Sequence, residues 1–274
     1  MKVIVFGGAG YIGTELVSNL EKRDDINEII VYDNLSRSNF NLFLGSNFSH
    51  KSKVKFVKGE LLDSRNLRKV LNGADVVYHL AAKVTTPFAN TDPHFFEQVN
   101  HWGTAELVYA IEQSQVKKII YTSSTGVYGS SKEEIDEKTV PNPKTFYGTS
   151  KLRGEEHVRR LNDSIETFII RCGNVYGFNP SMRFDAVINK FVFEANFNKQ
   201  VQIHGDGRQY RAFIHIRNVA AGLSRLLDGG VSRGTYNLVD RNLTVLDIVD
   251  TLKMQIPELE FIFINQHLTL RQLK

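Results

Sequence analysis

The chain has 274 residues, 42% of them hydrophobic and 23% charged, with a formal net charge of +4 and a pI near 9.0. This composition is ordinary for a soluble globular protein, and no apolar run approaches the ~20 residues of a membrane span. MKVIVFGGAG is broken by glycines too early to be a signal peptide.

The basic residues are dispersed along the chain. Their densest cluster, HKSKVKFVK, alternates Lys with apolar residues, as in a strand with one solvent-exposed face, and this disfavours nucleic acid as a partner. The single cysteine, Cys172, lies in an apolar run and excludes an internal disulfide, so we expect a core residue and a cytoplasmic protein.

The pattern of apolar residues predicts alternating strands and helices along the first two thirds of the chain. Short β-branched runs predict strands at 3–7, 28–33, 54–59, 75–81, 118–124 and 167–173, and the stretches between them predict helices at 12–22, 64–72, 95–114 and 147–161. Such alternation predicts an α/β fold over residues 1–175, with a doubly wound (Rossmann) parallel sheet.

After residue 175 the spacing of the apolar runs changes. Helices are predicted at 184–197, 218–228 and 245–255, and short strands at 201–204, 211–216, 235–239 and 260–264. We therefore expect residues 176–274 to form a smaller C-terminal α/β substrate-binding region, partly interleaved with the core and leaning over the carboxyl edge of the sheet.

The first predicted strand runs directly into GGAGYIG, where Gly7, Gly10 and Gly13 are spaced three apart. Glycines in this order allow a tight turn, close approach of a pyrophosphate to the backbone, and close packing of the helix on the strand. Asp33 closes the second strand twenty residues after Gly13, where an acid accepts hydrogen bonds from the adenosine ribose and repels a 2′-phosphate. The pattern predicts a dinucleotide site for NAD, and the nearby Arg37 leaves NADP open.

Two near-copies of a Tyr-x-x-x-Lys pattern, YGSSK and YGTSK, lie nineteen residues apart. Ser131 begins SKEE, a capping-box pattern, so Lys132 is predicted to open a helix while Tyr128 lies before it in a turn. In the second copy, a helix that already includes Tyr147 makes it an i,i+4 neighbour of Lys151. Only Tyr147 and Lys151 are therefore predicted to act as a pair.

The chemistry of this pair fits proton transfer. A phenol of pKa ~10 is a poor base at neutral pH, but a nearby ammonium favours the phenolate. At ~4 Å and an effective dielectric of ~20 the interaction is about 4 kcal/mol, or roughly three pK units before desolvation opposes it. Tyr147 would then act as a general base while Ser124, at the end of the fifth strand, orients the hydroxyl that loses the proton. On its own, Ser124 is also compatible with a simple strand-end turn residue.

Eight motifs together resemble the extended short-chain dehydrogenase/reductase family, especially its nucleotide-sugar epimerases and dehydratases. They are GGAGYIG, VYDNLSRS, VYHLAA, VNHWGTAELV, YTSSTGVYG, FYGTSKLRGE, IIRCGNVYG and GDGRQYRAFIHI, and they span nearly the whole chain.

The resemblance implies roles for individual residues. Ser124, Tyr147 and Lys151 form the catalytic set, Asp33 holds the adenosine ribose and Asn100 supports the cofactor region. The expected cofactor-binding residues are Gly7, Gly10, Tyr11, Ile12, Gly13, Asp33, Asn34, Ser36, Glu60, Leu61, Leu80, Ala81, Ala82, Asn100, Tyr147 and Lys151. The expected substrate-binding residues are Ser124, Thr125, Asn174, Arg183 and Arg211, of which Asn174 and Arg211 match positions that contact the diphosphate. Arg183 is included for its position and is equally compatible with a solvated Arg at a helix start.

Three positions depart from the family pattern. Glu60 replaces the Asp that many relatives place near the adenine, and Ala212 replaces the Asp that follows Arg211. Gly126 stands where sugar 4,6-dehydratases and uronate decarboxylases typically carry Glu. Because glycine can neither remove the C5 proton nor protonate the departing C6 oxygen, this sequence favours epimerases or simple ketoreductases.

The sequence thus predicts an NAD-dependent nucleotide-sugar epimerase, acting at C4 through a transient 4-keto intermediate. The alternatives are an NAD(P)H-dependent 4-ketoreductase and a catalytically silent NAD-sensing protein. The histidines show no metal-ligand spacing, so no metal is expected. We also expect a homodimer that pairs through the helices at 95–114 and 147–161, as relatives commonly do. The motifs leave the nucleotide base and the sugar open.

Overall fold

The protein, described here as a computed structural model, is defined over residues 1–42, 53–84, 93–131 and 133–264. The predicted helix at 95–114 is divided into three helical segments, the bounds of the other predicted elements given below lie within three residues of those predicted, and two short strands at 174–176 and 241–244 were missed. The strands are β1 (Lys2–Phe6), β2 (Glu28–Asp33), β3 (Val54–Lys58), β4 (Val76–His79), β5 (Lys118–Ser124), β6 (Glu166–Cys172), β7 (Asn174–Tyr176), β8 (Gln200–His204), β9 (Tyr210–His215), β10 (Gly234–Leu238), β11 (Arg241–Thr244) and β12 (Glu260–Ile264). The helices are α1 (Tyr11–Leu20), α2 (Ser64–Leu71), α3 (Pro93–Phe96), α4 (Gly103–Glu112), α5 (Phe146–Arg159), α6 (Val187–Asn198), α7 (Ile216–Arg225) and α8 (Val245–Gln255).

Seven parallel strands form the central sheet, in the order β10-β6-β5-β4-β1-β2-β3. The strands are almost wholly apolar because both faces of the sheet are covered. On one face they pack with residues of α1 and α7, and on the other with residues of α2, α4 and α5. The predicted doubly wound α/β class is confirmed. The chain crosses over between β1 and β4, so a crevice opens at the carboxyl ends of these strands.

Part of the C-terminal half returns to the central sheet. α7 packs beside α1, and β10 pairs with β6 as the edge strand. The buried side of α7 is apolar, with Ile216, Val219, Ala220 and Leu223 against the sheet. Residues 216–238 therefore pack with the central sheet, although they lie in the C-terminal part of the sequence.

The remaining C-terminal elements form a separate small layer. β7, β9 and β11 form one sheet, β8 and β12 form another, and both share an apolar cluster with α6 and α8. This layer faces the carboxyl edge of the central sheet. In the described ranges, no helix has the length and apolar character required to cross a membrane.

Candidate active site

A cleft of about 1150 Å³ lies at the carboxyl edge of the central sheet, between the sheet and the C-terminal layer. All the residues predicted to bind cofactor or substrate line it, with the exception of Asn100. They are Gly7, Gly10, Tyr11, Ile12, Gly13, Asp33, Asn34, Ser36, Glu60, Leu61, Leu80, Ala81, Ala82, Ser124, Thr125, Tyr147, Lys151, Asn174, Arg183 and Arg211.

The glycine-rich turn joins β1 to α1 at one end of the cleft. Gly7 has a φ of +77°, and a Cβ on Gly13 would lie 2.5 Å from the Gly7 carbonyl oxygen, so both positions need glycine. The Asp33 carboxylate accepts hydrogen bonds from the backbone N–H groups of Ala9 (3.1 Å) and Leu35 (2.8 Å). Burial raises the pKa of Asp33, while those N–H groups oppose the rise. Asp33 therefore fixes the shape of the turn as well as facing the cleft.

Asn100 lies behind the cleft wall, in a π-helical segment at Glu97–Trp102. It is fully buried, and its Oδ1 accepts from the Lys83 N–H (2.8 Å) while its Nδ2 donates to the Lys83 carbonyl (2.9 Å) and to Ser150 Oγ (3.0 Å). Asn100 thus holds the loop after β4 against α5. π-Helical turns often occur at functional sites, but the sequence predicted an uninterrupted helix here.

The structure brings Ser124, Tyr147 and Lys151 to the same cleft. Thr145 caps α5 by accepting from the Gly148 N–H (3.0 Å), so Tyr147 and Lys151 lie one turn apart on the same helix. Ser124 ends β5, and its Oγ accepts from the Gly126 N–H (3.0 Å), which caps the 3₁₀ turn Thr125–Tyr128. Ser124 is therefore a turn residue, and its hydroxyl hydrogen remains available for donation.

Lys151 is almost completely buried, with 1% of its surface exposed. Its Nζ lies 4.1 Å from the centre of the Tyr121 ring. Burial lowers the pKa of Lys151 to about 7, and the negative charge of Glu155 opposes this shift. The ammonium is thus held in the protein interior, where it interacts strongly with any neighbouring charge.

The first Tyr-x-x-x-Lys copy has a structural role. Tyr128 is buried, and its hydroxyl donates to Asn237 Oδ1 (2.8 Å) and accepts from Arg171 Nη1 (2.9 Å). Lys132 lies outside the described residues, and 133–140 form bends and turns without a helix. The helix predicted from SKEE is wrong, because Ser131 Oγ instead accepts from the Glu133 N–H in a tight local turn.

Arg211 provides positive charge on the C-terminal side of the cleft. Its Nε is buried without a hydrogen-bond partner among the described residues, and burial lowers its pKa. Asn174 beside it donates to the Ala212 carbonyl (2.9 Å). A buried guanidinium with an unused donor fits an anionic ligand group.

Arg183, by contrast, is already paired. Its Nε and Nη2 donate to the two carboxylate oxygens of Asp185 (3.1 and 2.6 Å), and Arg37 lies 3.8 Å from the same carboxylate. Burial raises the pKa of Asp185, but the two arginines outweigh this effect and hold its pKa below the usual range. No pattern in the sequence predicts this cluster, since its members come from two distant loops.

A second connection missed by sequence reasoning joins the glycine-rich turn to the segment 177–189. The Tyr11 hydroxyl donates to the Gly177 carbonyl and accepts from Asn189 Nδ2 (3.3 Å), and Asn179 Nδ2 donates to the Tyr11 carbonyl (2.9 Å). Burial raises the pKa of Tyr11 to about 12, so the hydroxyl remains protonated. Tyr11 lines the cleft, and its polar end joins the two walls.

Other cleft residues lie outside the recognised motifs, where spacing carries no signal. Lys83, Gln98 and Gln202 are examples. Within the described ranges no group of three or more His, Cys, Asp or Glu side chains is placed to hold a metal ion.

Comparisons with known proteins agree on one family. The NAD dependent epimerase/dehydratase family matches residues 3–238. The chain is 31% identical over 235 residues to an uncharacterized UDP-glucose epimerase of Bacillus subtilis, covering 83% of this chain and 72% of that protein. It is also 31% identical over 265 residues to the dTDP-D-glucose 4,6-dehydratase of Bos taurus, covering 94% and 73%. A UDP-glucuronic acid 4-epimerase from Bacillus cereus, solved with UDP-glucuronic acid and NAD, superposes with a TM-score of 0.84 at 27% identity, covering 96% and 86% of the two chains.

The lowered pKa of Lys151 predicts a particular pH dependence of stability. Between about pH 7 and the usual lysine value near 10.4, the unfolded chain binds a proton that the folded protein lacks, so folding gains stability as the pH rises. Lys151→Met removes this contribution. Urea denaturation should therefore show the free energy of unfolding of the unmodified protein, relative to Lys151→Met, increasing from about pH 6.5 to about pH 9.5. For the exposed Lys117→Met control the relative free energy should not change, and a constant difference for Lys151→Met would contradict the prediction.

Proposed function

The chain belongs to the NAD-dependent epimerase/dehydratase family of extended short-chain dehydrogenase/reductase enzymes, and we propose that it is a nucleotide-sugar epimerase acting at C4. The observation that carries the proposal is the convergence of Ser124, Tyr147 and Lys151 at one cleft whose neighbouring Gly126 offers no acid or base. The proposed substrate is a nucleotide-diphosphate sugar. Relatives that bind or act on such sugars include both 4-epimerases and 4,6-dehydratases.

The residues of the glycine-rich turn fit NAD. A side chain at Gly13 would meet the Gly7 carbonyl, so glycine there lets α1 begin directly against the turn, and a pyrophosphate would bind at the N-terminus of this helix. Asp33 faces the ribose position and its charge disfavours a 2′-phosphate. When bound, NAD supplies reversible oxidation of the carbinol carbon at C4.

Each side chain of the catalytic set has a separate role in proton transfer. Tyr147 accepts the proton of the C4 hydroxyl and later returns it, while the Lys151 ammonium favours the phenolate. Ser124 donates its free hydrogen to the same sugar oxygen and so orients it. From outside the cleft, Asn100 holds the loop after β4 against α5.

Binding of the diphosphate falls mainly to Arg211. Its buried guanidinium has an unused donor, whereas Arg183 already shares its charge with Asp185. Asn174 lies beside Arg211 on the same cleft wall. Tyr147 lines the same cleft, so a diphosphate at Arg211 leaves the sugar within the cavity that contains the catalytic set.

We favour an epimerase over a ketoreductase because several contacts join the two walls of the cleft beside the glycine-rich turn. Tyr11 joins the glycine-rich turn to Gly177 and Asn189, and Thr14 Oγ1 lies 2.8 Å from Ser181 Oγ. A ketoreductase must exchange its cofactor in every turnover, which requires these contacts to open each time. An epimerase regenerates NAD in place and needs no exchange.

The two Tyr-x-x-x-Lys copies can be compared directly. Tyr147→Phe removes the proton-transfer group and should lower kcat by at least ~10²-fold. Tyr128→Phe leaves Arg171 Nη1 and Asn237 Oδ1 without a partner, so it should reduce stability by about 1–3 kcal/mol while changing kcat far less. Steady-state kinetics and urea denaturation of both variants check this. Equal losses of kcat in two folded variants would show that Tyr147 has no special role.

Gly126 predicts the outcome of the reaction in D₂O. If no acid or base faces C5 and C6, the 4-keto sugar can only be reduced again. The accepted nucleotide sugar should therefore give its C4 epimer without added NADH, with no deuterium at C5 and with the 6-hydroxyl retained. NMR of the product measures all three. Accumulation of a 4-keto-6-deoxy sugar carrying solvent deuterium would contradict the role assigned to Gly126, and a requirement for stoichiometric NADH would indicate the ketoreductase.

We also propose that the enzyme is a homodimer that pairs through α4 and α5. α4, α5 and the π-helical segment that precedes α4 expose Trp102, Tyr109 and Phe146, with 56%, 47% and 47% of their surfaces accessible. Such aromatic residues are typical of interface cores. Light scattering at micromolar concentration should give a dimer mass, and Tyr109→Glu should shift it toward the monomer. A monomeric mass for the unmodified protein would refute the proposal.

A further inference from the structure

A buried carboxylate lies one helical turn beyond Lys151. Glu155 on α5 has no exposed surface, and its Oε1 accepts from Ser123 Oγ (2.6 Å) and Arg171 Nε (2.9 Å). Its Oε2 accepts from Arg171 Nη2 (2.7 Å) and Arg159 Nη2 (2.7 Å). Burial raises the pKa of Glu155, but the bonds from Arg171 and Ser123 outweigh this effect and hold the pKa below its usual range. Glu155 is therefore an ionised, fully hydrogen-bonded group in the protein interior.

These bonds connect the elements that carry the catalytic set. Ser123 precedes Ser124 at the end of β5, and Arg171 precedes Cys172 at the end of β6. Ser124 and Cys172 are paired in register across the two strands. Glu155 thus joins α5, with its Tyr147 and Lys151, to the strand end that presents Ser124.

Glu155 also differs in charge from the other groups around Lys151. The ionisable groups that face Lys151 are Tyr147 and Glu155 from α5, Tyr121 from β5, Cys172 from β6 and His79 from β4. Burial raises the pKa of Cys172 to about 12 and that of Tyr121 well above its usual value, and burial lowers the pKa of His79. Leaving aside the reacting Tyr147, Glu155 is the one anion at neutral pH in this set of described neighbours.

We propose that Glu155 is a positioning residue of the active site, which holds α5 against the ends of β5 and β6 and keeps Lys151 protonated. This role rests on the proposed function, in which the Lys151 ammonium favours the Tyr147 phenolate. A purely structural ion pair with Arg171 would instead contribute only to stability. The two roles differ in what they do to the titration of Lys151.

Three variants and one control test the proposal. Glu155→Gln keeps the size of the side chain and removes its charge, Glu155→Asp keeps the charge, and Ser123→Ala removes one bond between β5 and α5. The control is Asp228→Asn, which breaks the surface pair Arg23–Asp228 (2.6 Å) far from the cleft. The pKa of Lys151 is measured by ¹³C NMR of lysine Cε in the purified protein, assigned with Lys151→Met, and kcat and KM are measured across pH.

For Glu155→Gln we expect the pKa of Lys151 to fall by about 1 unit or more, because an opposing charge is lost. The acidic limb of kcat/KM should move to higher pH, and kcat near pH 7 should fall at least ~10-fold with KM within about threefold. Glu155→Asp should restore the pKa of Lys151, and Asp228→Asn should change none of these values.

The outcomes separate the alternatives. A folded Glu155→Gln protein with a lower Tm but an unchanged Lys151 pKa and pH profile would overturn the proposal and leave Glu155 a structural ion pair. If Glu155→Gln does not fold, Ser123→Ala decides: a lower kcat at unchanged KM supports positioning, and an unchanged kcat rejects it. The NMR titration needs no substrate. A shifted Lys151 pKa in an enzyme that epimerises no nucleotide sugar would therefore support the role of Glu155 and reject the C4 epimerase.

Discussion

The active site depends on how closely α5 packs against the central sheet. A Cβ on Gly148 would lie 2.6 Å from the Gly126 carbonyl oxygen, and one on Gly154 would lie 2.3 Å from the Tyr121 hydroxyl. Real Cβ atoms do not approach so closely, so glycine is required at both positions. Lys151 lies between them, three residues from each, with its Nζ over the ring of Tyr121 from β5. The burial of Lys151 follows from this close packing.

The same contact sets the electrostatics of the site. Two unit charges at ~4 Å interact by about 1 kcal/mol in water and about 4 kcal/mol at an effective dielectric of 20. Burying Lys151 therefore strengthens its effect on Tyr147, but it also makes the ammonium costly to keep charged. The ring of Tyr121 and the carboxylate of Glu155 offset part of that cost. Close packing and a nearby buried anion are thus both needed before the Tyr–Lys pair can act near neutral pH.

The sequence predicted the local elements well and their distant partners poorly. β5 and α8 have the predicted bounds because apolar spacing reports directly on helix and strand. The spacing of apolar residues did not show that β10 pairs with β6. Edge strands and central strands both appear in the sequence as short apolar runs, so the spacing does not identify the partner of a strand. The sequence did contain a signal for Glu155 and Arg171, because each is a charged residue in a predicted helix or strand that packs against the core. The pairing of Arg183 with Asp185 and Arg37 left none, because it depends on how two loops meet.

The charges of the cleft are distributed unequally, and this bears on the proposed reaction. Arg37, Arg183 and Asp185 neutralise one another in part and link the loop after β2 to the segment 177–189. Arg211 Nε has no hydrogen-bond partner among the described residues. A diphosphate would therefore gain most from Arg211, on the C-terminal side of the cleft. C4 epimerisation requires the sugar to present its other face while the diphosphate stays bound. A substrate anchored through its diphosphate at Arg211 would meet that requirement.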